Sequence, residues 1–326
     1  MRINRLSSAH AGNQPIRVLQ HNITFQFETT NPTFIELTKT VIKEKGLQPG
    51  IGYHINDKAI LEKVDGHVQT PYVNSNGKIF VHETFLSYVW CVCYSMLVLY
   101  EEAIAKVSQN QVSKTLLHEI DSVKIDTAQK LFDYAKSLIT SFTPWDKGSL
   151  PNPEEYSTDD VFFIERANGL FIYAMNFILC HEFAHIELNH TELIKQGQNS
   201  KSDILKFEKE ADLRAMELVL NGTTNKTKLS AEIGVLMGLC SLLFFKQKSE
   251  TTTHPATDDR MDKLIEQSNA SNPDPHWGIA TLAFKLWDNQ FMKNFTWPKE
   301  VHDLKELYEL IREEIKKEKG SSQQNL

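Results

Sequence analysis

A chain of 326 residues that is 41% hydrophobic and 24% charged has the apolar mass for a substantial core, and its composition excludes a disordered or fibrous protein. With 35 Lys+Arg against 42 Asp+Glu the formal net charge is −7, so no global field draws it to nucleic acid or to an anionic membrane. No apolar run follows residues 1–15 as a secretory signal requires, and the sequence reads as cytoplasmic, with neither nucleic acid nor membrane as a partner.

Residues 1–84 read as a β-containing N-terminal region, 85–315 as a helical core and 316–326 as a flexible tail, together one compact unit of mostly helical α+β class. Residues 24–29 alternate polar and apolar and read as strand-like. Asn74, Ser75, Asn76 and Gly77 supply turn chemistry ahead of residues 78–83, which predicts a hairpin near 70–84. From Phe85 the period becomes helical, with helices expected near 85–107, 124–141, 160–190, 203–221, 229–247, 277–292 and 299–318. The apolar stretches 85–100 and 233–245 fall short of the roughly 20 residues a bilayer demands, and are core helices. Cys91, Cys93, Cys180 and Cys240 lie in apolar helical stretches without paired spacing, as buried reduced thiols do.

Cys180-His181-Glu182-Phe183-Ala184-His185 carries an HExxH sequence inside the helix expected at 160–190. At about 100° per residue, positions i and i+4 share a face, so the two imidazoles can converge on one Zn²⁺. Glu182 then stands beside the attacking water as a base without being a ligand. A third ligand is needed. The metzincin pattern is excluded, because Leu188 and Thr191 occupy the positions where it requires Gly and His. His190, five positions past His185, falls on a different face and reads as a helix-end residue. The next helix carries Phe207-Glu208-Lys209-Glu210-Ala211-Asp212-Leu213-Arg214-Ala215. There Glu208 can bind the metal and Asp212, a turn later, can accept an N–H from a ligand imidazole. Glu210 is the reserve ligand, and a solvated charged face is the plainer alternative for the whole segment.

HEFAH followed by EKEAD resembles the gluzincin pattern HExxH…ExEAD of the HtpX-like and CAAX prenyl peptidases and, more loosely, of the ImmA/IrrE-type regulatory peptidases. His254-Pro255 with Arg260 is similar to the HPxxxxR element of the HtpX-like group, which implies that His254 faces the cleft and helps bind an oxyanion; a loop histidine before a proline is the other reading. The closer resemblance is to the Lit family of phage-exclusion peptidases, carried by HEFAH and by Asn76-Gly77-Lys78-Ile79-Phe80-Val81-His82-Glu83-Thr84-Phe85-Leu86 leading into an aromatic helix, over roughly residues 76–266. It implies a gluzincin-like zinc-peptidase core that cleaves the translation factor EF-Tu when a phage capsid peptide is present. The metal ligands would be His181, His185 and Glu208, the catalytic residues Glu182 and His254, with Asp212 behind the ligands. The residues also leave open an ImmA-like peptidase cleaving a repressor, and a non-catalytic zinc-stabilised interaction protein. Residues 78–85 are expected as an edge strand beside the cleft, on which an extended substrate docks.

Overall fold

The computed structural model describes residues 1–6, 14–46, 50–54, 70–74, 76–107, 109, 118–197, 199–248, 254–268, 274–298 and 303–323. Ser75 of the expected turn and Thr253, ahead of the His-Pro pair, lie outside them. The elements run β1 (Arg2–Asn4), α1 (Gln20–Glu28), α2 (Phe34–Lys45), β2 (Gly50–His54), β3 (Tyr72–Val73), β4 (Lys78–His82) and α3 (Glu83–Tyr100), which continues into a π-helical turn, Glu101–Ala105. They go on through α4 (Ser122–Thr140), β5 (Glu155–Ser157), α5 (Val161–Glu187), α6 (His190–Lys195), α7 (Lys201–Asn221) and α8 (Lys228–Leu243) to α9 (Thr257–Ser268), α10 (Asp274–Phe291) and α11 (Leu304–Gln323). The class is α+β with helix dominant.

α5 is the centre of the packing, touching α1, α3, α7 and α8. Its sequence is apolar on nearly every face, which suits a helix enclosed on all sides rather than one with a solvent stripe. α8 comes close to it because Gly234 and Gly238 carry no side chain; a Cβ would sit 2.7 Å from Leu170 O at the first and 3.3 Å from the Ala174 Cβ at the second. α3 is buried from Glu83 to Leu99, and two of its polar side chains tie it to neighbouring helices. Trp90 donates to Asn168 Oδ1 of α5 at 2.8 Å, and Ser95 to Ala128 O of α4 at 2.8 Å. Two helices, Glu83–Ala105 and Val161–Glu187, are long and apolar enough to cross a membrane, but 94% and 78% of their apolar windows are buried inside the protein. All four cysteines are buried and unpaired with one another.

Helix ends are stopped by local chemistry. Asp121 accepts from the Lys124 amide at the start of α4, and Ser200 with Asp203 forms a reciprocal capping box at the start of α7. α5 ends where Asn189 turns left-handed at φ 62°, so the helix expected over 160–190 stops at Glu187 and His190 opens the next one.

The hairpin expected near 70–84 is present: β3 pairs antiparallel with β4 through Val73↔Ile79, and Gly77 takes φ 77° in the turn. β4 is not an edge strand. β2 pairs parallel on its other side, Gly50↔Lys78 to His54↔His82, so the order is β2-β4-β3 and the docking edge expected at residues 78–85 does not exist. Ile79 and Val81 are buried in the core. A second, two-stranded sheet joins β1 to β5.

Residues 24–28 are helical and Thr29 caps the helix, so the segment is not extended. In α1 it is Ile23 and Phe27, four apart, that face inward, Phe27 against Phe34 and Phe183 at 5.1 and 6.4 Å, while Phe25 is 66% exposed. The two-residue alternation was a coincidence within a four-residue repeat. The segment set apart as a tail from Lys316 continues α11 to Gln323, and Lys319 lies 2.8 Å from both carboxylate oxygens of the fully buried Asp258 on α9.

Candidate metal centre and active site

The site is built where α5 and α7 cross. Ala211 and Ala215 of α7 are fully buried and small, letting the two backbones approach. His181 and His185 lie one turn apart on the inner face of α5, with their Nε2 atoms 3.1 Å from each other. Glu208 reaches across from α7, one oxygen 3.3 Å from His181 Nε2 and the other 3.5 Å from His185 Nε2. One ligand atom from each of these three buried residues lies within 4.8 Å of the others, a group able to hold a metal ion. Glu210 is not part of it; its carboxylate turns to His190, at 3.2 Å.

Asp212, one turn after Glu208, lies behind His181 and takes its Nδ1 at 2.9 Å. Arg260 of α9 clamps the same carboxylate with Nε and Nη2, both at 2.6 Å. Burial would raise the Asp212 carboxyl, but Arg260 and the His181 imidazole hold it down at about 2. An ionised carboxylate can only accept, so Nδ1 of His181 carries a proton toward it and Nε2 turns its lone pair inward when the ring is neutral. The His181 lone pair, the His185 Nε2 and a carboxylate then face one another, an arrangement that suits a cation among them. Without one, His181 takes the charge itself: burial opposes it, but hydrogen bonds to Asp212 and Glu208 push its pKa up to about 10. His185 goes the other way, to about 3, through burial and the neighbouring His181. The donor set therefore fits a metal ion.

Glu182, next to His181, points to the other side of the group. Burial pushes its carboxyl up to about 7, and the charge of His181 works against this, as does a hydrogen bond from the backbone N–H of Val73 in β3. The neighbouring Asn74 N–H points to Lys78 O, so that of Val73 faces away from β4, as alternation along a strand requires. The small sheet thus lies beside the motif helix and grips its glutamate by the main chain. His254, half exposed, places Nε2 3.3 Å from Glu208 on the open side. Beside it, between α7 and α9, is a cleft of about 410 Å³ lined by Leu205, Leu213, Met216, Pro255 and Ala256 together with the charged Lys209, Asp259, Arg260 and Lys263.

The structure brings together all the candidates His181, Glu182, His185, Glu208, Asp212 and His254. It adds residues that the sequence reading passed over. Arg260 was visible as the last residue of the His-Pro element, but its bond to Asp212 spans 48 positions. Lys45, at the end of α2, donates to Ile186 O, Glu187 O and Asn189 Oδ1, capping the last turn of the motif helix from a helix not foreseen at all. Arg214 fastens the same end, with two bonds of 2.8 Å to Glu187.

No curated protein and no solved structure matches the chain. The family model of peptidase U49 does, over residues 79–280, from β4 through α5 and α7 into α10, a span that takes in His181, Glu182, His185, Glu208, Asp212 and His254; the chain belongs to the peptidase U49 family.

Proposed function

We propose that the protein is a zinc-dependent endopeptidase of the gluzincin kind and of Lit type, which cleaves a host protein such as EF-Tu in response to a phage component. The observation that carries the zinc reading is the convergence of His181 Nε2, His185 Nε2 and Glu208. Ligand atoms about 2.0–2.2 Å from a tetrahedral Zn²⁺ stand about 3.3–3.6 Å apart; here the two Nε2 atoms are 3.1 Å apart and each faces a different oxygen of Glu208, at 3.3 and 3.5 Å. Three protein ligands leave one position open, as a catalytic site does and a structural one does not. A zinc ion held there would polarise the scissile carbonyl and make water acidic enough to attack it. Glu182 takes the proton from that water and returns it to the leaving amine, while Val73 holds its carboxylate in place. His254 stands where its Nε2 can donate to the developing oxyanion.

The target and trigger are supported by membership of the U49 family and by the resemblance of HEFAH and residues 76–86 to the Lit peptidases. An always-active protease in the cytoplasm would harm its own cell, so cleavage is expected only when EF-Tu is presented with a phage capsid peptide. Elemental analysis tests the metal: wild type should carry one zinc, and no more zinc than in a His181→Ala/His185→Ala double variant would end the reading. Glu182→Gln should keep the zinc and lose about 10²–10⁴ in turnover. Purified enzyme, EF-Tu and capsid fragments, mixed singly and together and followed on a gel, test the target; cleavage of unrelated unfolded proteins by the enzyme alone would overturn the triggered mode.

A further inference from the structure

His190 opens the six-residue helix α6 directly after the left-handed Asn189. Five positions along a continuous helix it would stand about 140° around the axis from His185. The turn at Asn189 folds it back instead, leaving it 2% exposed with Nδ1 3.1 Å from His185 Nδ1. Phe207 stacks on its ring at 4.5 Å and 18°, which fixes the ring plane. The other nitrogen, Nε2, lies 3.2 Å from Glu210 Oε2.

The order of protons along this chain follows from its far end. The Glu210 carboxylate only accepts, so His190 Nε2 bears the hydrogen, and in the neutral ring Nδ1 is left with a lone pair. His185 Nδ1–H then donates to it, and His185 Nε2 is left with its lone pair directed at Glu208 and His181. Had His190 been the donor at Nδ1, the hydrogen of His185 would sit on Nε2, where a ligand needs its lone pair.

Resting on the reading of His181, His185 and Glu208 as metal ligands, we propose that His190, backed by Glu210, is the positioning residue for His185. It selects the Nδ1–H tautomer and aims Nε2 at the metal, the task Asp212 performs for His181. The three acids of Glu208-Lys209-Glu210-Ala211-Asp212 then divide the work of the site: the first is a ligand, the second supports one histidine through His190, the third supports the other directly.

His190→Asn and His190→Leu test this together, because the Asn amide oxygen takes about the place of Nδ1 and Leu offers no acceptor. In metal-free protein, ¹⁵N shifts of labelled histidine rings should report His185 as the Nδ1–H tautomer in wild type and in His190→Asn, with that preference lost in His190→Leu. Zinc affinity, from competition with a chelator, should fall about 10–100-fold in His190→Leu and stay close to wild type in His190→Asn. Wild-type affinity in His190→Leu would overturn the proposal, as would equal losses in both variants with the tautomer unchanged, which is the signature of packing alone. If His190→Leu does not fold, Glu210→Leu serves at a half-exposed position: the Nδ1–H preference of His185 should weaken, and an unaltered preference would overturn the relay. Should wild type bind no zinc, the zinc reading fails, and the tautomer measurement on metal-free protein still decides the role of His190.

Discussion

On the His181 side of the site the support is ionic and buried: Asp212 and Arg260, 5% and 8% exposed, meet in a two-pronged pair that also holds the ring nitrogen. On the His185 side the next group is an imidazole, and the acid comes only after it, at Glu210, whose side chain is 42% exposed. Both routes can deliver a histidine with its Nε2 lone pair facing inward. They differ in what else they touch. A buried ion pair is costly to break from one end, because the remaining charge has no water to turn to. An imidazole whose acid lies near solvent carries orientation at little expense to the fold. Stability and pH response should therefore follow the His181 side, and metal affinity both.

The largest effect should come from Arg260→Met, which strands the Asp212 carboxylate and is expected to cost about 3–5 kcal/mol in denaturant unfolding. The Asp212→Asn/Arg260→Met double variant should recover much of this, and a single-variant loss under about 1 kcal/mol would erase the contrast between the two sides.

The next follows from Asp212 itself. Its folded pKa, about 2, lies below the ordinary value, so its contribution is present above the unfolded pKa of about 3.9 and is lost as pH falls through the folded one. The stability gap between metal-free wild type and Asp212→Asn should therefore shrink by about 2–3 kcal/mol from neutrality into acid, most of it between about pH 4 and pH 2. A gap that does not change with acid would mean that the ion pair does not hold this carboxylate.

Lys45→Met acts at the turn that places His190. Removing a cation from the carbonyl end of α5 should cost about 1 kcal/mol in unfolding free energy. It should also loosen the His185 side more than the His181 side, visible as zinc affinity that falls while the pH dependence of stability stays unchanged. The smallest effect belongs to Glu210→Gln, expected within about 0.5 kcal/mol of wild type because the position is half solvated. A loss well beyond that would make the two supports alike.

The legible part of the site was the part written at helical spacing. His181 and His185 share a face because they are four apart on a helix, and Glu208 and Asp212 do so for the same reason, so their roles could be proposed without knowing how α5 and α7 cross. The charged-face alternative for residues 207–215 describes Lys209 and, in part, Glu210, but Glu208 and Asp212 turn into the protein, at 9% and 5% exposure. What was hidden depended on backbone or on distance. On the arithmetic of a continuous helix His190 falls on another face and reads as a helix-end residue; it does open a helix and stays outside the group able to hold a metal, but one left-handed residue, Asn189, folds it back against His185. The segment of α1 reads as a strand because Phe25 and Phe27 look equivalent in sequence, and only packing against Phe34 and Phe183 separates them. β4 was expected at an edge because its parallel partner, β2, is joined through no local signal.

Periodicity alone reveals the helical core, the histidine pair on α5 and the acids on α7, since each is set by a period of about 3.6 residues within a single element. Only the tertiary structure decided which acid meets which histidine, that Arg260 neutralises Asp212 from 48 positions away, that Lys45 closes the motif helix, and that the sheet holds Glu182 through the Val73 main chain. The reason is physical: a periodic pattern states which way a side chain faces, whereas a hydrogen bond between elements depends on how two backbones are brought together, and that is fixed by the shape of the whole core.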